Sequence, residues 1–238
     1  MKKALLFLLS LFIYFQSTAQ TPGKRSYISI AVGPSLPIGD FGSKDLSDED
    51  SGLAKMGGFV NISYGYKFTE SISMLVLLRG GIYGVDTDAF LKGYATPDGS
   101  AASLSVSTTT WKTGAIMAGI QQSLPLNSKK SLLLETRAAI GIQKSKSPAT
   151  TINMSISGFG NFSGKQEPMS STSAAYFLGL SLNYNLGSNI SLKFNADYTG
   201  ANPKFEYTLA TNNTIQTSTK LKQNISVIDL GIGLGVSF

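Results

Sequence analysis

Seven charged residues stand singly within alternating apolar stretches of this chain: Lys67, Arg79, Glu135, Arg137, Lys193, Asp197 and Asp229. Gathered into one interior, such groups pair as a buried network or relay a proton or ion, and an unpaired member would be costly there. A second group, Asp45, Asp48, Glu49 and Asp50, follows Asp40 and offers hard oxygen donors of the kind that hold Ca²⁺ or Mg²⁺. Its spacing lacks the alternate-position ligands of an EF-hand loop, so a solvated acidic loop is the expectation and a weak cation site the alternative. The chain contains neither His nor Cys. That excludes His-based triads, thiolate nucleophiles, His/Cys zinc sites and disulfides, and no motif places a Ser/Lys or Asp dyad. Gly231, Gly233 and Gly235 alternate inside a strand pattern with no helix after it, which is not a dinucleotide fingerprint. The expectation is no enzyme, no catalytic residue, no cofactor and no dedicated metal site.

Composition narrows the setting. Of the 238 residues 42% are hydrophobic and only 14% charged, against about 25% charged in an average soluble domain. The net charge is +6, and without Lys2 and Lys3 the balance is 18 − 14 = +4, spread along the chain. No nucleic-acid partner is expected from so weak and dispersed a charge. Met1-Lys2-Lys3 precedes twelve largely apolar residues, Ala4 to Phe15, and then Ser17-Thr18-Ala19. Basic, apolar and small-residue segments in that order predict a cleaved signal peptide over 1–19, leaving a single domain over 20–238. Twelve helical residues reach about 18 Å, short of the ~30 Å hydrocarbon core, so an anchor is disfavoured.

Beyond the leader the period is two. Val60, Ile62, Tyr64, Tyr66 and Phe68 share one face while Asn61, Ser63, Gly65 and Lys67 share the other. The same alternation recurs at 72–82, 132–143, 176–185, 190–199 and 228–238, with two less clean segments at 26–34 and 112–122, the last of ambiguous facing. Leu75 and Leu77 blur the strand that contains them. Short turns at Thr69–Ser71, Leu126–Lys130 and Gly187–Asn189 alternate with long polar stretches at 39–55, 84–110, 144–173 and 200–225. Eight strands with alternating short and long connections predict an all-β, antiparallel, up-and-down transmembrane barrel with short periplasmic turns and long extracellular loops. A secreted β-sandwich also alternates. Its outer face would be charged, however, whereas the polar face here is mostly Gly, Ser and Asn, and Tyr and Phe gather near strand ends as interfacial girdles do. Within the long stretches, Leu104 and Val106, Ile152 to Ile156, and Phe205 to Leu209 keep the two-residue period, which predicts hairpins continuing beyond the membrane.

The first strand and its exit, Ala31-Val32-Gly33-Pro34-Ser35-Leu36-Pro37-Ile38-Gly39-Asp40-Phe41, and the last, Asp229 to Phe238, resemble the small eight-stranded outer-membrane β-barrels of Gram-negative bacteria, the OmpA/OmpX kind. The resemblance spans about residues 25–238. It implies a location in the bacterial outer membrane, contact with its lipid and lipopolysaccharide, and a terminal Phe238 read as a signal by the barrel-assembly machinery. An eight-stranded interior is just wide enough to be filled by side chains. The expected role is therefore structural or surface-interacting, with adhesion or partner binding carried by the loops. A narrow channel for small solutes or ions is the alternative.

Overall fold

A strand that leaves water must find partners for its peptide groups on both edges, and here a ring supplies them. The computed structural model describes residues 24–47, 50–93, 104–156, 160–187, 189–211 and 215–238. In chain order its strands are β1 (Ser26–Ile38), β2 (Ala54–Lys67), β3 (Ile72–Val85), β4 (Leu104–Thr108), β5 (Trp111–Pro125), β6 (Leu132–Lys146), β7 (Thr150–Ile156), β8 (Gly160–Gln166), β9 (Ser170–Asn185), β10 (Ile190–Ala201), β11 (Lys204–Thr211), β12 (Ile215–Lys222) and β13 (Ile225–Ser237). Eight of them close an antiparallel barrel in the order β1-β13-β10-β9-β6-β5-β3-β2. The first and last strands make the seam: Ile30 lies opposite Leu234 on one side and Ile62 on the other. The fold is an eight-stranded up-and-down β-barrel.

Alternation in the sequence becomes two surfaces. On β9, Leu178, Leu180 and Leu182 point outward and are about half exposed, while Phe177 and Ser181, at the alternate positions, are buried. Ile28, Ile30, Val32, Ile62, Leu78, Ile116, Ile140, Phe194 and Ile232 continue the outer band around the ring. An apolar belt of this extent is stable against lipid and not against water. Barrel strands run from 12 to 16 residues, longer than the ~9–11 that a tilted span needs, so they carry the sheet past the hydrocarbon. One end is closed by tight turns, with Phe68 N–H donating to Ile72 O, Leu126 to Leu132 O and Leu186 to Ile190 O.

The structure settles two open points of the sequence reading and departs from it in two others. Leu75 and Leu77 face the lumen and are fully buried, because the interior needs volume as well as polarity. The ambiguous segment resolves with Ile116, Ile120 and Leu124 outward and Thr113, Ala115, Met117 and Gln121 inward. The first strand runs 13 residues, Ser26–Ile38, past the 26–34 read from the sequence. Finally, Leu104 and Val106 do not begin a hairpin of their own: β4 pairs with β7 from a different loop, completing a three-stranded sheet β4-β7-β8. A separate two-stranded hairpin joins β11 to β12, and a short helix α1 (Thr87–Gly93) follows β3.

Facing is directly measurable. In lipid nanodiscs, a lipid-phase thiol reagent is expected to label Leu180→Cys and spare Ser181→Cys. Equal labelling would contradict the register, since a one-residue slip exchanges the two faces.

Candidate functional site

Six of the seven strand-borne charges meet in three ion pairs inside the barrel. Arg79 on β3 grips Asp229 on β13 with two parallel bonds, Nε to Oδ2 at 2.6 Å and Nη2 to Oδ1 at 2.8 Å. Tyr83 and Ser35 oxygens accept from the same Nη2, at 2.8 and 3.2 Å. Arg137 on β6 donates from Nη2 to Asp197 Oδ1 on β10 at 2.7 Å. Lys193 on β10 donates to Glu135 Oε2 on β6 at 2.9 Å, and Asn183 Nδ2 donates to the other oxygen at 2.7 Å. All six side chains are almost wholly buried. Each cation also lies over a ring: Arg79 over Phe59 at 5.9 Å, Arg137 over Phe177 at 5.5 Å, Lys193 over Tyr27 at 4.6 Å. Carboxylate and aromatic face together stand in for part of the water each cation has lost, while Arg137 Nε and Asp197 Oδ2 are left without a hydrogen-bond partner among the described residues.

Register explains these partners. Arg137 and Asp197 both lie opposite Gly179 on the strand between them, so the ion pair passes over a residue with no side chain. A Cβ there would fall on the Asp197 carboxylate. Asp197 and Asp229 are themselves register partners. Their repulsion is relieved because each is held by an arginine from a different strand. Gly231 leaves room in the same way for the Phe59 ring, which would stand 2.7 Å from a Cβ at that position.

Between the pairs, Leu75, Leu77, Met117, Phe177 and Ala139 pack as an apolar layer within the lumen. Towards the long loops a second cluster closes the mouth. Phe41, on the 3₁₀ turn Gly39–Gly42, is fully buried with its ring edge-on to Tyr83 at 5.2 Å and Trp111 at 5.4 Å. Phe205, Ile225 and Val227 complete that cluster. The segment that brings Phe41 there is tied down at several points: Trp111 Nε1 donates to Gly52 O at 3.0 Å, Gln223 Nε2 to Asp50 O at 2.8 Å, and Asp86 N–H to Leu53 O at 2.8 Å. Leu53 itself holds a left-handed backbone, φ 50°, which a branched side chain adopts only when its surroundings enforce it. The Asp86 carboxylate takes Lys44 at 2.8 Å and Lys55 at 3.4 Å. The Lys44 hydrogen bond, with help from Lys55, holds that carboxyl below the usual carboxylate range.

The remaining sequence candidates are dispersed. Lys67 is half-buried at the turn end, where it lines a polar cavity of about 60 Å³ with Glu70, Glu135 and Lys193. Phe238 is exposed at the same end, its backbone paired with Ser26 in both directions. Asp45 accepts from the Ser47 amide and hydroxyl, which lowers its carboxyl, and Asp50 is exposed. Asp48 and Glu49 lie outside the described residues, and among the described residues no acidic cluster is grouped to hold a metal. The aromatic partners Tyr27, Phe59 and Phe177, and the mouth cluster around Phe41, were not singled out from sequence. An aromatic on the lumen-facing period was the available signal for Phe59 and Phe177.

No protein-family model matches the chain, and no curated protein matches it significantly. Among solved structures it is similar to Neisserial surface protein A, at 15% identity and TM-score 0.47 over 90% of this chain and 97% of that one. It is also similar to Ail, the attachment invasion locus protein of Yersinia pestis, at 16% identity and TM-score 0.45 over 90% and 99%. A major outer membrane protein of Thermus thermophilus gives 12% identity and TM-score 0.48 over 90% and 99%. The strand pairing and the apolar exterior, independently of these likenesses, make this chain a membrane-spanning eight-stranded β-barrel.

Removing one member of a buried pair strands the other. Asp229→Ala is expected to cost about 3–5 kcal/mol in urea unfolding from bilayers, with the apolar double replacement Arg79→Met/Asp229→Leu recovering most of it. Equal losses in both would show that the charges are not paired in the membrane. Trp111 is the only tryptophan, so its emission reports on the mouth. Because Asp86 titrates lower when folded than when unfolded, its contribution is full at neutral pH and lost as pH falls through its depressed folded value. Acidification below about 4 is expected to red-shift Trp111 emission, and Asp86→Asn to do so at neutral pH. Emission unchanged in both would detach Asp86 from the closure.

Proposed function

We propose that the protein is a bacterial outer-membrane barrel whose long loops bind a partner at the cell surface, the barrel serving as a closed support without catalysis of its own. The observation that carries this reading is the sheet β4-β7-β8. It is assembled from two different loops, with Leu104 to Thr108 opposite Met154 to Thr150 and Thr150 to Ile156 opposite Gln166 to Gly160. Ordering residues into a shared sheet costs about 1–2 kcal/mol each in backbone entropy, and a segment that only reconnects two strands has no need of it. Among the described residues β8 has no strand on its outer edge. Such an edge is a template for an added strand, and main-chain bonding gives affinity while alternate side chains select the partner. The filled lumen and the closed mouth support the same reading against a conduit. Phe238 and its paired backbone are proposed as the element through which the assembly machinery receives the last strand.

Replacing 150–166 by a tight turn tests it. Loop length costs little in closure entropy, so the shortened barrel is expected to keep its heat-modifiable gel shift. Bacteria carrying it at wild-type surface levels are expected to lose adherence to neighbouring cells and to abiotic surfaces. An Arg137→Met barrel is expected to be less stable but still adherent. Adherence retained by the shortened barrel and lost by the Arg137 variant would place the activity in the lumen.

A further inference from the structure

Just past the apolar band on the long-loop side, the outer face of β5 and β6 changes character. Lys112 and Lys146 are register partners on adjacent strands, and Lys144 is two residues along on the same outward face. All three are exposed, whereas Trp111, Thr113, Gln143 and Ser145 beside them turn inward and are buried. Of the other lysines on this side, Lys44 and Lys55 hold Asp86 and Lys165 holds Glu167, while Lys204 and Lys222 face each other on the β11–β12 hairpin and not on the barrel wall. Among the described residues no carboxylate pairs with Lys112, Lys144 or Lys146. On the flanking strands their outward neighbours are Ile82, Thr172 and Ser170. Like charges placed directly opposite in an antiparallel ladder repel, so this arrangement costs stability unless an anion sits between them.

What lies next to the lysines identifies the anion's carrier. Ile116, Ile140 and Ile142 continue the same outward face towards the turn end, at 50%, 74% and 56% exposure. Acyl chains packed on those isoleucines bring their own headgroup to the level of the three ammonium groups. A soluble anion would gain nothing from the isoleucines. We propose that Lys112, Lys144 and Lys146 form a docking surface for the phosphate groups of an anionic glycolipid in the leaflet beneath the long loops. This rests on the membrane reading above and adds a site to it. Lysine suits the task because its long apolar stem follows the sheet while the charge stays at the headgroup.

Phosphatidylcholine nanodiscs doped with diphosphorylated lipid A, or with the same glycolipid stripped of phosphate, test the proposal by native mass spectrometry of the lipids retained on the barrel. The wild-type protein is expected to enrich the phosphorylated form. Lys112→Gln/Lys144→Gln/Lys146→Gln is expected to lose about tenfold or more of that preference, and the triple Arg variant to keep it. The Gln variant removes a repulsion, so its heat-modifiable shift is expected to persist and serves as the folding control. Enrichment unchanged in the Gln variant, or displaced by excess inorganic phosphate, would overturn the docking surface alone. A barrel that does not enter nanodiscs at all would overturn the membrane reading with it.

Discussion

Hydrocarbon offers a peptide group no hydrogen-bond partner, and the rest of this molecule follows from that constraint. Every barrel strand has to be paired on both edges, so β13 must return to β1, and the ladder from Tyr27–Ser237 to Ile38–Ser226 accomplishes it. Closure with eight strands then fixes the bore at a width that side chains fill. The turn end keeps a small polar cavity, lined by Lys67, Glu135 and Lys193. Charges admitted to the bore must meet opposite charges, and the three pairs Arg79–Asp229, Arg137–Asp197 and Lys193–Glu135 are the consequence.

The pairs do more than cancel charge. Each links strands that are not neighbours in the ring, Arg79–Asp229 reaching from β3 to β13 and the other two from β6 to β10. They therefore hold the barrel's cross-section as well as its charge balance. Gly179 lies under the Arg137–Asp197 pair, where a side chain would collide, and an aromatic face stands beside each cation. Above them, the Phe41–Tyr83–Trp111–Phe205 cluster shuts the long-loop end. With side chains filling the interior from the Lys193–Glu135 pair to the Phe41 cluster, the recognition proposed for this protein falls to the loops above and the lipid-facing wall outside.

Strand faces were the most legible part of the sequence, because a period of two with lipid on one side leaves a strong signal in segments such as Tyr176 to Tyr184. The same period put Arg79, Glu135, Arg137, Lys193, Asp197 and Asp229 on the polar faces of their strands. Their partners were not legible. Which arginine meets which aspartate depends on register and on Gly179 lying under one of them, and register between strands far apart in sequence is a property of the closed ring. Leu75 and Leu77 blurred their strand because an apolar residue inside a filled lumen looks the same in sequence as one facing lipid. Phe41 gave no periodic signal, since it reaches the lumen from a 3₁₀ turn. The β4–β7 pairing between two loops was hidden because local alternation reveals a strand but not the strand it will join.

Single-channel recording of the purified barrel in planar bilayers tests most directly whether the interior is closed. The occupied lumen and the Phe41 cluster predict a silent bilayer, with no stepwise current on insertion of the wild-type protein. Steady, reproducible conductance steps from the wild-type barrel would contradict this account and make the lumen a conduit.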